Sequence, residues 1–162
     1  METSLNLSKK IEIVTRPEMH YIFLQKIGPF METAPAAWHE MYPLTHGKIE
    51  QNKVVATMAL CAIEKDKQGH DIMIYEAGLG LSEEPRNIPK GLQYKKVRSG
   101  QYARFVLTGS YSQLSRAWPE AFRILEQEKI KIRKDFAIEN YLNDASVTPE
   151  EKLLTEILIP VA

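Results

Sequence analysis

The sequence predicts an α+β fold in which a strand–helix–strand–strand unit occurs twice. We expect an antiparallel, curved sheet with two helices on one face and a ligand cleft on the other. Three observations predict this fold. Segments of the first half align, in order, with segments about half the chain length further on. A stretch with helical spacing follows the first segment of each half, and two strand-like runs follow each helix. The aligned pairs are "HYIFLQKIGPF" (20–30) with "QYARFVLTGSY" (101–111), "ALCAIEKD" (59–66) with "AIENYLND" (137–144), and "DIMIYEAGLGL" (71–81) with "LLTEILIPVA" (153–162).

The two predicted helices follow the first strand of each half. The first spans about 33–45 and has prolines near its start and its end. The second spans about 112–129, with Ser110 or Ser112 as its N-cap and Pro119 as either a kink or its first turn. Its apolar residues recur at helical spacing: Leu114, Ala117, Trp118, Ala121, Phe122 and Leu125.

The organisation that follows is a single domain over residues 1–162, made of two pseudo-symmetric halves. The halves cover about 9–81 and 92–162. The segment between them, "SEEPRNIPKG" (82–91), has the two prolines, the asparagine and the glycine typical of a linker.

Composition excludes several classes of function. Lysine plus arginine (21) equals aspartate plus glutamate (21), so no net field attracts nucleic acid or a membrane surface. Cys61 is the only cysteine, which excludes an internal disulfide, and the four histidines have no metal-binding spacing. No signal peptide or membrane span is apparent. We therefore expect a cytoplasmic protein with no metal, no cofactor and no direct binding of nucleic acid.

One strand carries an unexpected carboxylate. In "FAIENYLND" (136–144), alternation places Phe136 and Ile138 on one face and Glu139 and Tyr141 on the other. We assign the first face to the helix layer, which leaves Glu139 on the opposite face, at the bottom of the cleft. The alternative is that Glu139 faces solvent on an open sheet, as most glutamates do.

At these residues the chain resembles the GyrI-like small-molecule-binding domains, which also form the effector-binding parts of AraC- and MerR-type regulators. The matching motifs are "KIGPF", "LTGSY", "FAIENYLND" and "TEILIPV", over about residues 9–162. The resemblance implies a duplicated strand–helix–strand–strand fold and a pocket carboxylate, here Glu139, surrounded by aromatic residues. Leu158 stands where many members carry a tyrosine, so we expect the carboxylate to lack that polar partner. Because the duplicated unit uses all 162 residues, we expect no DNA-binding domain.

The candidate site residues combine a carboxylate with hydrogen-bond donors and flat walls. Glu139 and Tyr75 are the candidate catalytic residues, as acid/base and hydrogen-bond donor. From the residues alone, Tyr75 and Trp118 are better interpreted as core residues, and the facing of Glu156 stays open. The candidate ligand-binding residues are Glu139, Tyr141, Tyr75, Trp118, Trp38, Tyr111, Phe30 and Glu156.

Three functions are compatible with this pattern. The first is a stand-alone protein that captures flat, lipophilic, often cationic drug-like or toxin-like compounds. The second, implied by the resemblance, is a hydrolase of cyclopropanoid DNA-alkylating compounds, so enzymatic activity stays undecided. The third, also implied by the resemblance, is inhibition of DNA gyrase, with gyrase as a partner, and a separate regulator is a further conceivable partner. The sequence decides neither the natural ligand nor the oligomeric state.

Overall fold

The computed structural model describes residues 4–162. It contains two α-helices and eight strands, and every strand pairing described is antiparallel. No helix among the described residues is long and apolar enough to cross a membrane. The elements in chain order are β1 (Glu12–Arg16), β2 (Met19–Ile27), α1 (Phe30–Thr45), β3 (Val54–Lys65), β4 (Asp71–Leu81), β5 (Gln93–Val97), β6 (Gly100–Thr108), α2 (Leu114–Gln127), β7 (Ala137–Tyr141) and β8 (Leu154–Pro160).

The predicted α+β fold is confirmed, and both helices begin and end close to their predicted bounds. The residues form two compact units. One is contiguous, Pro17–Ser99, and the other joins the segment that ends at Arg16 to Gly100–Ala162. Each unit has four strands and one helix. The strand orders are β3-β4-β2-β5 in the contiguous unit and β1-β6-β8-β7 in the other.

Two short strands were not predicted, and they set the boundaries of the units. The first, β1, pairs with β6, and β5 pairs with β2, so each repeat gains a fourth strand at the edge of its sheet. The sequences of these strands, "EIVTR" and "QYKKV", are five residues long and largely polar. The predicted linker, 82–91, contains neither helix nor strand.

The same glycine turn leads into the helical segment of each repeat. Gly28 has a φ of +142° and Gly109 a φ of +131°. Residues other than glycine rarely adopt this backbone conformation. The backbone N–H of Gly28 donates to the carbonyl of Met73, and that of Gly109 donates to the carbonyl of Leu153. The positive φ shared by the two turns explains why a glycine stands at this position of both "KIGPF" and "LTGSY".

The second helix has well-defined ends. Ser110 accepts a hydrogen bond from the N–H of Ser112 and so caps the short 3₁₀ turn that leads into α2. Pro119 lies inside α2, not in its first turn. At the other end Lys129 has a φ of +58°, and the N–H of Ile130 donates to the carbonyl of Leu125. This is a Schellman motif with lysine in the place usually taken by glycine.

The apolar face of α2 packs on the sheet of its own unit. Ala117, Ala121 and Leu125 are fully buried against side chains of β6 and β8. The sheet contributes Ala103, Phe105, Leu107, Ile157 and Ile159 to this core. The face of the sheet that carries Phe105 and Ile157 is therefore the face covered by α2.

In the contiguous unit, the side chain of Tyr21 contacts both β3 and β4 closely. Tyr21 is fully buried, and its hydroxyl is within 3.2 Å of the carbonyls of Met58 and Glu76. A Cβ atom at Gly78 would lie 2.5 Å from the Tyr21 ring and 2.4 Å from the carbonyl oxygen of Ile22. Glycine at position 78 is thus required by the close approach of this ring, not by its backbone angles.

Candidate functional site

The central residue of the candidate site is Glu139, in the middle of β7. Its cross-strand partner on β8 is Ile157, and directly opposite residues point to the same face of a sheet. Because Ile157 belongs to the core beneath α2, Glu139 also lies on the face that α2 covers. The prediction that Glu139 lies on the face away from the helix is therefore wrong. Its side chain is buried, with 6% of its surface exposed.

Each oxygen of the Glu139 carboxylate accepts one short hydrogen bond. The indole Nε1–H of Trp118, on α2, donates to Oε2 at 2.6 Å. The hydroxyl of Tyr141, two residues further along β7, donates to Oε1 at 2.7 Å. These two donors fix the carboxylate plane from two different elements. Hydrogen bonds to an ionised acceptor are about twice as strong as bonds between neutral groups.

Burial and hydrogen bonding act in opposite directions on this carboxyl group. Burial raises the pKa of Glu139, because the charged form loses its hydration. The hydrogen bonds from Trp118 and Tyr141 lower it, but the effect of burial is larger and the pKa lies above its usual value. Burial therefore destabilises the charged form of Glu139, and its two hydrogen-bond donors offset only part of that cost.

Two pairs of aromatic rings flank the carboxylate. Tyr141 packs against Tyr111, with ring centroids 5.4 Å apart and planes inclined at 59°. Trp118 stacks on Phe122, one helical turn further along α2, with centroids 6.1 Å apart and planes at 29°. Burial, Asp144 and Glu139 together raise the pKa of Tyr111, so its hydroxyl stays protonated near neutral pH. The inner ring of each pair holds the carboxylate, and the outer ring extends the aromatic surface.

Three further candidate residues come together in the contiguous unit. The indole Nε1–H of Trp38 donates to the hydroxyl of Tyr75 at 2.8 Å. Phe30 lies beside Tyr75 with ring centroids 6.2 Å apart. Trp38 lies in α1 and Trp118 in α2, each shortly after the glycine turn of its repeat. The repeat therefore places an indole donor in each unit, with a tyrosine hydroxyl as acceptor in one and a carboxylate in the other.

Glu156 does not join this group. It pairs across strands with Asn140, whose amide donates to Glu156 at 3.0 Å, and it forms an ion pair with Arg104. Glu156 and Asn140 each alternate with residues on the α2 side, so they lie on the opposite face of the sheet. Leu158 is on that opposite face as well, paired with Ile138. The expectation that Leu158 deprives the carboxylate of a partner is therefore wrong, since position 158 points away from Glu139.

Two features were not predicted as parts of a site. Phe122 was identified only as one of the apolar residues at helical spacing in α2, yet 39% of its surface is exposed. Glu76 is 1% exposed, with Lys95 Nζ 2.7 Å from one oxygen and the Gln25 amide donating to the other at 3.0 Å. Its position in the interior of β4, where its neighbours are apolar, was the available signal. Among residues 4–162, no three His, Cys, Asp or Glu side chains converge to hold a metal ion.

The fold is shared with several solved structures. SAV2435 bound to tetraphenylphosphonium matches with a TM-score of 0.73 at 17% identity, covering 94% of each chain. The C-terminal domain of EcmrR matches with a TM-score of 0.66 at 16% identity, covering 94% of this chain and 97% of that domain. A hydrolase from Listeria innocua matches with a TM-score of 0.57 at 14% identity, covering 97% and 94%. At such identities the likeness shows the fold alone.

No protein with curated annotation matches the sequence. The model of the GyrI-like small-molecule-binding domain, by contrast, matches residues 9–162, almost the whole chain. The matched range contains both repeats, and thus every side chain of the candidate site. This chain belongs to the GyrI-like family and is a small-molecule-binding domain of that family.

Proposed function

We propose that this protein captures lipophilic aromatic compounds that carry a positive charge, with Glu139 as the counterion. The observation that supports this proposal is the buried carboxylate, which is held by two protein donors and is flanked by aromatic rings. A carboxylate in such surroundings is costly in free energy unless a cation accompanies it.

The charge of Glu139 supplies the affinity for a cation. Because burial raises the pKa of Glu139, its charged form is held at a cost that a ligand cation reduces. The donors Trp118 and Tyr141 keep the carboxylate in one orientation, so the ligand does not have to order it. Preorganisation of this kind lowers the entropic cost of binding.

The aromatic rings supply the affinity for flat, apolar groups. Trp118 and Tyr141 are both partly exposed and both touch the carboxylate. Aromatic faces attract cations by about 0.5–2 kcal/mol, most strongly where water is excluded. A ligand whose charge is spread over aromatic groups would use the carboxylate and the rings together. Tetraphenylphosphonium, which is bound to the similarly folded SAV2435, has this chemistry.

The proposal is tested by calorimetric titration with a matched pair of ligands. Methyltriphenylphosphonium is a permanent cation, and triphenylphosphine oxide is a neutral compound of similar size. We expect Glu139→Gln to weaken binding of the cation at least about tenfold, the effect of removing one partner of a close charge pair, and to leave the neutral compound nearly unaffected. Glu156→Gln is the control, because it removes the same charge on the opposite face of the same sheet. Equal affinity of the wild type and Glu139→Gln for the cation would refute the proposal.

A second candidate function is hydrolysis of cyclopropanoid alkylating compounds. The raised pKa of Glu139 supports it, because a carboxyl group that titrates nearer neutral pH is an effective general acid and base. In this reaction Glu139 would take a proton from water while the water oxygen bonds to a ring carbon. The ring C–C bond would break, and its electron pair would pass to the conjugated carbonyl, whose oxygen then takes a proton.

Mass spectrometry of the products separates this reaction from binding alone. We expect a product heavier than the substrate by one water molecule with the wild type, and at least about a hundredfold slower formation with Glu139→Gln. A wild type that binds a cyclopropanoid compound and returns it unchanged would exclude the hydrolase and leave the capture function standing.

A further inference from the structure

Phe122 is the one large apolar side chain of α2 that is exposed by more than a third. Ala117, Ala121 and Leu125, on the buried face of the same helix, are fully buried. A single exposed apolar residue is normal on a protein surface and carries no argument by itself. What distinguishes Phe122 is its neighbour: its ring stacks on Trp118, the residue that donates to Glu139.

The two aromatic pairs beside Glu139 have the same construction. In each pair, the inner ring donates a hydrogen bond to one carboxylate oxygen, and the outer ring contacts the inner ring. Trp118 is the inner ring on Oε2, with Phe122 as its outer ring at 6.1 Å. Tyr141 is the inner ring on Oε1, with Tyr111 as its outer ring at 5.4 Å. Aromatic surface therefore continues outward from both sides of one carboxylate.

We infer that Phe122 is a specificity-determining residue, which contacts the outer aromatic groups of ligands whose charge is held by Glu139. This inference rests on the proposed function and adds a ligand class to it: cations that bear several aryl groups around the charged atom. A small tetraalkyl cation can reach the carboxylate and the inner rings, but its short arms extend less far. Selection among cations would thus arise from the outer rings, while the charge itself is recognised by Glu139.

Stacking on Trp118 gives Phe122 the geometry for this role. The planes of the indole and the phenyl ring are inclined at 29°, so the half-exposed Phe122 ring lies against the indole in a similar orientation. Phe122 and Trp118 are four residues apart on α2, so the helix backbone keeps the two rings adjacent. Adjacent aromatic rings favour aryl groups over alkyl groups, because aromatic pairs gain stabilisation beyond the area they bury.

The test compares two phosphonium cations by calorimetric titration, tetraphenylphosphonium and tetraethylphosphonium. We expect Phe122→Ala to weaken binding of tetraphenylphosphonium by about five- to twentyfold and binding of tetraethylphosphonium by less than about twofold. Phe122→Leu keeps an apolar side chain and should lose most of the same aryl selectivity. Tyr42→Ala is the matched control: Tyr42 is an exposed aromatic residue at the corresponding position of α1, stacked on His46 with ring centroids 4.9 Å apart. It should leave both affinities unchanged.

The possible outcomes separate this inference from the proposed function. Equal weakening of both cations by Phe122→Ala would mean that Phe122 acts by supporting α2, and would overturn the inference. So would unchanged binding of both cations, provided that Glu139→Gln still weakens them; the proposed function would then stand alone. If neither cation binds to the wild-type protein, the proposed function fails and the inference fails with it.

Discussion

Replacing Trp118 with phenylalanine is the sharpest perturbation of the candidate site. The substitution keeps an aromatic ring on α2 but removes the Nε1–H that donates to Oε2 of Glu139 at 2.6 Å. The bond from Tyr141 to the other oxygen remains. The carboxylate thus loses one of two donors, while the hydrophobic contact with Phe122 is largely retained.

The expected effect follows from the strength of a charge-assisted hydrogen bond. Such bonds contribute about 1.5–3 kcal/mol, and neutral ones about 1 kcal/mol. The charged form of Glu139 should therefore lose about 1–2 kcal/mol more than the protonated form. This free energy corresponds to roughly one unit of pKa, and its sign is upward, since the lost bond lowers the pKa of Glu139 in the wild type.

The assay is an NMR titration of the side-chain carboxyl carbon of Glu139, in protein labelled at glutamate with carbon-13. Trp38→Phe is the matched control. Its Nε1–H donates to the hydroxyl of Tyr75 in the other unit, so it removes an equivalent donor with a different acceptor. We expect the pKa of Glu139 to rise in Trp118→Phe and to stay at the wild-type value in Trp38→Phe. An unchanged pKa in Trp118→Phe, or an equal rise in both variants, would refute the view that this indole stabilises the charge.

The remaining predictions concern stability, measured by urea unfolding. Because the folded-state pKa of Glu139 is raised, the wild type should lose stability relative to Glu139→Gln as the pH rises from the ordinary glutamate pKa through the raised one. A difference in unfolding free energy between the two proteins that stays constant from about pH 4 to pH 8 would contradict this. Gly78→Ala should destabilise the fold by about 3 kcal/mol or more, because the added methyl would lie 2.4 Å from the carbonyl oxygen of Ile22. Gly47→Ala, at a φ of +71° with open space around it, should cost only about 1 kcal/mol. Equal losses of stability in the two variants would contradict the packing explanation. Lys95→Met should cost about 2–4 kcal/mol, because it leaves the buried Glu76 without this cation. Adding Glu76→Gln should recover part of the lost stability. No recovery in the double variant would count against the ion pair.

The repeat in the sequence predicted most of the fold. The repeat predicted both helices and six of the eight strands in their order, because the hydrophobic periods and the glycine turns recur in the same order in each half. It missed β1 and β5, which are short and largely polar. Strands of that kind are defined by the neighbours they pair with, and their own side chains carry little signal.

The orientation of β7 was the main error, and its cause is physical. Alternation separates two faces but does not say which of them a helix covers. A half-buried strand reveals its core face by a polar opposite face, yet Ala137, Ile138 and Glu139 are consecutive and all buried. With both faces buried, the large apolar Ile138 was assigned to the helix side, where the structure has Glu139.

The site itself was predicted as a set of residues but not as a set of contacts. Glu139 was identified because a carboxylate in an apolar strand is unusual. Alternation alone placed Tyr141 beside Glu139, but the contact with Trp118 required knowing which face of β7 lies under α2. Phe122 could not be separated from the core by spacing, because a residue at the border of an apolar helical stripe has the same period as one at its centre.

The pairing of β1 with β6 makes the chain topology that of an insertion. The segment that ends at Arg16 and the segment that starts at Gly100 build one unit. The other unit, Pro17–Ser99, is continuous and is inserted in the chain between β1 and β6. A duplicated gene cut at its midpoint would give two fragments, and each would lack its own edge strand. The stretch 17–99, which carries its own β5, is instead the continuous piece of chain that matches one whole unit.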